Sequence, residues 1–289
     1  MSQHKEQQGY VTFAHNTPEV NYLELAYLQC LNIKCTQQIN SYAVIVDQKT
    51  LESVEQRHRD VFDYIIPVDH DYNRPEDNYY FGNEHQVFKL TPFKETVKLE
   101  SDLLFTRSID HWWTAFRLKN VCLSTGARTF LGINFTIRKY RELFDANELP
   151  DVYNGLMYFR YSQEAAVFFD TARYILFNWQ YVRTGLKNCL EEYPSTDVLY
   201  GLTALMVGKE MCTMPSLDFL NFVHMKSAGN GWSDNRNWLE TVMHEQDGDI
   251  VRINNINQYH PVHYHDKQFA TRELIEYYER RRTEFLAGS

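Results

Sequence analysis

The chain has 289 residues and a mass of 34.4 kDa, enough for a sizeable α/β core, and its 44% hydrophobic content excludes a disordered majority. A formal charge of -9 counts against a broad electrostatic grip on nucleic acid, because phosphate binding is driven by clustered Lys and Arg. Cys30, Cys35, Cys122, Cys189 and Cys212 form no C-x-x-C and no paired spacing, which fits reduced, mostly buried thiols better than a disulfide frame or a zinc ribbon.

After a polar leader, Gly9-Tyr10-Val11-Thr12-Phe13-Ala14 reads as a buried strand ended by the loop His15-Asn16-Thr17-Pro18. Leu23, Ala26, Tyr27, Cys30 and Leu31 recur at helical spacing and predict a helix with one apolar stripe. Tyr42 to Asp47 is a second strand and Phe62 to Pro67 a third, with a charged helix from about Leu51 to Arg59 between them. The order βαβαβ implies a parallel sheet that binds ligands beyond the carboxyl ends of its strands. No glycine follows the first strand, so the phosphate-cradling fingerprint of dinucleotide-binding dehydrogenases is absent, as is the glycine-rich loop normal in a nucleotidyltransferase.

Residues 69 to 83, rich in Asp, Asn, Tyr and Pro, form a long loop placed to fold over a site. A helix from His85 to Phe93 leads into the strand Thr96-Val97-Lys98-Leu99. At its end lies Glu100-Ser101-Asp102. In an extended or turning backbone, positions i and i+2 can aim at a common point, so Glu100 and Asp102 can share one divalent cation. An isolated acid-x-acid triplet is also an ordinary solvated strand end. Further on, Ile109 to Phe116 reads as helix, Asp151 to Arg160 as strand interrupted at Asn154-Gly155, and residues 162 to 183 as an aromatic helix. A helix from Ser195 to Val207 opens on a Ser/Thr/Asp cap, Phe219 to His224 is a late strand, and Gln268 to Leu286 a charged terminal helix. In that helix Arg280, Arg281 and Arg282 alternate with Glu276, Glu279 and Glu284, the pattern of a solvent-facing surface. No run of about 18 apolar residues occurs, and Met1-Ser2-Gln3-His4-Lys5 lacks an apolar signal core, so cytoplasmic residence is expected.

Four motifs, in order over residues 9 to 232, resemble those of GT-A type glycosyltransferases, especially the retaining enzymes of the glycogenin and lipopolysaccharide galactosyltransferase type and their bacteriophage relatives. Val11-Thr12-Phe13-Ala14 with Tyr22 is similar to the nucleotide-binding first unit. Leu99-Glu100-Ser101-Asp102-Leu103-Leu104 resembles the D-x-D strand, with Glu100 standing where the family usually has Asp. Tyr153-Asn154-Gly155-Leu156 resembles the strand lining the sugar pocket, and Ser195-Thr196-Asp197 the later acidic helix start. Val223-His224-Met225-Lys226 with Gly229 and Gly231-Trp232 resembles the C-terminal His-x-x-x-Lys-x-Trp region, without its Lys-Pro-Trp arrangement.

The resemblance implies a single GT-A domain, α/β, with a mixed, mostly parallel sheet flanked by helices. About 9–105 would be the nucleotide-sugar half, about 106–267 the acceptor half and 268–289 a C-terminal helix. It implies a metal-dependent, nucleotide-sugar-using transferase, retaining, with Mn²⁺ or Mg²⁺ held by Glu100, Asp102 and His224. The run His260-Pro261-Val262-His263-Tyr264-His265-Asp266-Lys267 offers His265 as an alternative ligand and Lys267 for the diphosphate. Phe13, Ala14, His15, Tyr22, Lys89, Lys94, Gly155 and Lys226 complete the expected donor site. Asn154 is expected on the sugar hydroxyls and Asp197 at the reacting carbon, although Asn-Gly is also a turn signal and Asp197 a candidate helix cap. The expected donor is a UDP-sugar. The expected acceptor is a hydroxylated or hydroxymethylated pyrimidine in phage DNA, which would place the protein in the host cytoplasm. Alternatives are a polysaccharide or protein acceptor, or a sugar-nucleotide-binding protein with little transfer activity.

Overall fold

Tyr10 to Phe13 and Tyr42 to Ile45 are continuous runs of β-branched, aromatic and small residues, and every one of these residues is buried, as in strands covered on both faces. The computed structural model describes residues 6–135, 138–214, 220–226, 242–245 and 250–288. These runs lie in β1 (Glu6–Ala14) and β2 (Tyr42–Val46), joined by α1 (Tyr22–Thr36), which Asn21 caps by accepting from the Glu24 N–H at 3.2 Å. The expected 51–59 helix is two short ones, α2 (Gln48–Glu52) and α3 (Gln56–Arg59). Asp47 opens the first by accepting from the Thr50 N–H at 2.7 Å, and the His58 ring accepts from the Glu55 N–H at 2.9 Å to open the second.

β3 (Tyr64–Pro67) completes the first three strands. The next expected helix is shorter than its apolar run suggested: a 3-10 turn, Glu84–Gln86, precedes α4 (Val87–Leu90), and Phe93 already belongs to β4 (Phe93–Leu99). There follow β5 (Leu103–Leu104), α5 (Trp112–Phe116), β6 (Val121–Leu123), β7 (Ala127–Arg128) and α6 (Arg138–Ala146). Strand β8 (Leu156–Arg160) starts after the Asn154-Gly155 turn. The aromatic helix breaks at Asn178 into α7 (Gln163–Phe177) and α8 (Trp179–Val182), where the Asn178 side chain donates to the Tyr174 carbonyl at 2.8 Å. The last elements are α9 (Thr196–Val207), α10 (Lys209–Cys212), β9 (Phe222–His224), β10 (Val242–Glu245), β11 (Ile250–Ile253), β12 (Ile256–Asn257), β13 (Val262–His263) and α11 (Arg272–Gly288). Phe219, Gly229, Gly231 and Trp232 lie outside the described residues.

The central sheet runs β3-β2-β1-β4-β8-β6, parallel from β3 to β4 and antiparallel at β8 and β6. The chain therefore leaves β1 toward β2 and β3 on one side and returns to β4 on the other. That reversal opens a crevice at the carboxyl ends of β1 and β4. Helices α1 and α11 pack together over one face of the sheet, whereas α7 and α9 pack together over the other. Leu274 and Tyr278 bury one side of α11, so the terminal helix is only partly solvent-facing. A smaller sheet, β5-β13-β9-β7, stands beside the crevice and brings the two histidine-bearing strands together. The five cysteines are free, and no described helix is long and apolar enough to cross a membrane.

Candidate active site

The acidic turn is built by hydrogen bonds from several directions. Thr12 on β1 donates to the Leu99 carbonyl at 2.9 Å, and Gln29 on α1 donates to the carbonyls of Glu100 and Leu103, both at 2.7 Å. The Glu100 N–H reaches the Gly155 carbonyl at 3.1 Å, and the Tyr264 N–H reaches the Asp102 carbonyl at 3.0 Å. Asn32 closes the next step, accepting from the Phe105 N–H at 2.8 Å and donating to its carbonyl at 2.9 Å. Buried backbone groups need such partners, and here α1 supplies them from its inner polar residues.

Both carboxylates of this turn face one imidazole. His263 Nε2 lies 3.0 Å from Glu100 Oε2 and 3.1 Å from Asp102 Oδ2, and the Lys267 ammonium also meets Asp102. Burial pushes the Asp102 carboxyl up, but the charges and hydrogen bonds of His263 and Lys267 outweigh it and hold the group well below the carboxylate range. Burial likewise opposes a charged His263, yet Asp102 and then Glu100 raise its pKa. His224 goes the other way, pushed far down by burial and then by the neighbouring His263 charge. The two Nδ1 atoms are 2.9 Å apart, a hydrogen-bond distance at which one ring donates and the other accepts.

The geometry places a histidine outside the expected ligand set against the two acids. His263, rather than His224 or His265, reaches both acids, because register pairs His263 with His224 on β9 and with Leu103 on β5. The His224 ring lies against His263 through Nδ1 and so helps to fix its orientation. His265 is exposed in a left-handed conformation, φ 54°, with its ring centroid 6.0 Å from that of His263. Two carboxylates and one imidazole converging around a point that attracts positive charge fit a divalent cation, which would displace the His263 Nε2 proton.

The same crevice opens into a cavity of about 370 Å³. Its lining includes Phe13, His15 and Tyr22 from the first unit, Asn154 and Gly155 from the turn before β8, Asp197 at the start of α9, and Lys226, His265 and Lys267. His15 packs on Phe13 with ring centroids 5.6 Å apart, its Nδ1 3.4 Å from the Asp47 carboxylate, and the Lys267 ammonium sits 5.6 Å from the Tyr22 ring centroid. Ala14 is buried in the core instead. Lys89 pairs with Asp69 on the surface and Lys94 is exposed, so neither reaches the cavity. Lys98 points into the protein, where it meets Glu84 at 2.5 Å with its side chain only 1% exposed, and Glu84 rather than Lys98 faces the cavity.

At the far end, Asn154 donates through its side chain to Glu100 at 3.3 Å and through its N–H to Asp197 Oδ1 at 2.8 Å. Ser195, not Asp197, caps α9, accepting from the Val198 N–H at 3.4 Å, so the Asp197 carboxylate is not used as the cap. Its other oxygen accepts from Arg141 at 3.1 Å. Arg141, in the polar helix α6, is buried, yet no sequence signal separates it from the arginines at the surface. Asn78, Tyr80 and Phe81 of the 69–83 loop form part of the lining. The loop is fastened by Tyr79, which stacks on Tyr193 at 5.0 Å and donates to the Pro194 carbonyl at 3.1 Å, while Tyr193 donates to Asp77 at 2.6 Å.

No protein-family model matches the sequence, and no curated protein is significantly similar to it. Solved structures are similar in fold. The galactosyltransferase LgtC, crystallised with donor and acceptor sugar analogues, aligns with a TM-score of 0.52 at 11% identity, over 96% of this chain and 95% of that one. Mouse xyloside xylosyltransferase 1 gives 0.47 at 12% identity over 80% of this chain and 91% of that one. The glycosyltransferase GlyE of Streptococcus pneumoniae TIGR4 gives 0.49 at 9% identity, and this chain covers 64% of its length. The alignment with LgtC over nearly the whole of both chains, together with the sheet order, shows that this chain has the GT-A glycosyltransferase fold.

Proposed function

We propose that the protein is a metal-dependent glycosyltransferase that moves a sugar from a nucleotide-sugar donor to a hydroxyl acceptor. The observation that carries this reading is the convergence of Glu100, Asp102 and His263 beside Asn154 and Asp197 in one cavity at the carboxyl edge of a GT-A sheet. Mn²⁺ or Mg²⁺ held by Glu100, Asp102 and His263 would neutralise the charge that develops on the departing nucleoside diphosphate. Lys267 and Lys226 add cationic side chains to the same cavity, placed for the diphosphate oxygens. Tyr22, Phe13 and His15 offer flat rings to the base and ribose. Asn154 and Asp197 hold sugar hydroxyls and so fix the anomeric carbon. In retaining transfer, the bond from that carbon to the diphosphate oxygen breaks on the face where the acceptor oxygen bonds, and the acceptor proton passes to the leaving diphosphate.

A UDP-sugar donor, a nucleotide-sugar half at about 9–105 and a hydroxylated pyrimidine acceptor in phage DNA are readings supported by the sequence resemblance. The net charge of -9 favours an acceptor that needs only a local contact, such as a single flipped base or a glycan end. The test is to incubate the protein with UDP- and GDP-sugars, with Mn²⁺ or with EDTA, and to assay released nucleoside diphosphate. Parallel arms carry plain DNA, hydroxymethylated DNA and oligosaccharides, with mass spectrometry of the digested products. Metal-dependent release with a hexose or pentose mass added to one acceptor supports the reading. Binding of nucleotide sugars with no release under any condition refutes transfer and leaves a binding protein.

A further inference from the structure

Arg141 is a cation with a 7% exposed side chain that projects from α6 into the wall of the cavity. A buried guanidinium needs partners for its planar fork of donors, and here both terminal nitrogens have them. Nη1 donates to the Val152 carbonyl at 2.7 Å and lies 3.1 Å from Asp151 Oδ1, while Nη2 donates to Asp197 Oδ2 at 3.1 Å. The Tyr153 ring centroid lies 3.8 Å from its central carbon and that of Phe144 4.3 Å, so the group is packed as well as hydrogen-bonded. One side chain thus fastens the 151–154 segment, which ends in Asn154, to the first turn of α9.

We propose that Arg141 is a positioning residue for sugar transfer, its fork holding the Asp197 carboxylate in register with Asn154 so that both face the donor sugar. The inference rests on the glycosyltransferase reading above. Asp197 takes the Asn154 N–H on one oxygen and Arg141 on the other, and each carboxylate oxygen has a second lone pair for a sugar hydroxyl. Burial pushes the Asp197 carboxyl up, and the Arg141 charge is the largest influence opposing it. A lysine here would keep a charge but lose the fork that spans the carbonyl and both acids.

The test compares Arg141→Met, Arg141→Lys, Asp197→Asn and the Arg141→Met/Asp197→Asn double variant in steady-state transfer, with melting curves and Mn²⁺ titrations. Arg141→Met is expected to lower kcat about 100-fold, the scale of a displaced reacting group, with donor KM within about 3-fold of wild type. The double variant is expected to be no slower than Asp197→Asn alone, since Arg141 acts through Asp197. Mn²⁺ affinity is expected to stay unchanged, and Arg141→Lys to recover part of the rate. Losses that multiply in the double variant, or an Arg141→Met kcat within about 3-fold of wild type, overturn the inference. If the Met variant does not fold, wild-type kcat in Arg141→Lys overturns it equally. No turnover by the wild-type protein with any nucleotide sugar overturns the glycosyltransferase reading and this inference with it.

Discussion

Asp102→Asn separates the metal reading from a purely structural role for the acidic turn. The substitution keeps the shape and removes a charge that faces His263 at 3.1 Å and the Lys267 ammonium, with the Asp102 side chain only 6% exposed. Breaking a buried charge cluster by removing one partner costs about 3–5 kcal/mol. Lys267 is 27% exposed and can turn to water, and His263 can lose its proton and still bond Glu100, so the lower end, about 3 kcal/mol, is expected. Asp102 is held well below its unfolded value, so this stability is complete at neutral pH and is lost only as pH falls through the folded-state value. The assay is urea unfolding at pH 7 in EDTA and in Mn²⁺. A cation at 100 times its dissociation constant adds about 2.7 kcal/mol to the wild-type protein and is expected to add almost nothing to the variant. Equal Mn²⁺ stabilisation of both proteins would refute the assignment of Asp102 as a ligand, whatever the loss in EDTA.

Four other outcomes follow from the geometry. Burial lowers the His85 pKa from 6.5 to about 4 against a hydrogen bond to the Gly82 carbonyl, so its contribution is complete above about pH 6.5 and lost toward pH 4. Melting temperatures across that range are expected to fall by the equivalent of about 3 kcal/mol, and to fall less in His85→Gln. Gly155→Ala would put a methyl 2.7 Å from the Phe222 ring, so an unfolding loss of about 1–3 kcal/mol is expected, and an unchanged midpoint would refute the close approach. Gln29→Leu strips donors from two buried carbonyls of the acidic turn. It is expected to cost about 3 kcal/mol in denaturant and to weaken Mn²⁺ binding, whereas Lys89→Ala and Lys94→Ala leave donor KM unchanged.

The parallel half of the fold was legible because Tyr10 to Ala14 and Tyr42 to Val46 are apolar on both faces, a pattern of sheets covered by helices. The spacing of Glu100 and Asp102 showed two acids able to share a cation, and the resemblance to a glycosyltransferase family identified them as a D-x-D-like turn. What spacing cannot give is which histidine of His260, His263 and His265 turns inward. That depends on β13, a strand of two residues whose register is set by β9 and β5 rather than by any periodicity of its own. Lys98 sits in an apolar run, and only the distant Glu84 makes its burial tolerable. Arg141 was invisible for the same reason: its partners at 151–153 and 197 come together through tertiary packing. Lys89 and Lys94 were expected at the donor because they precede the acids in sequence, but Lys89 pairs with Asp69, Lys94 lies at the amino end of β4, and neither lines the cavity.

The stacked Tyr79 and Tyr193 rings link two stretches of chain with different duties. One carries Asn78, Tyr80 and Phe81 into the cavity wall, and the other runs through Pro194 and Ser195 into Asp197. Any displacement of the first stretch must either part the rings or drag the second along. One wall of the cavity and the chain that enters α9 are thus tethered to each other by the same pair of rings, at a distance from the acidic turn.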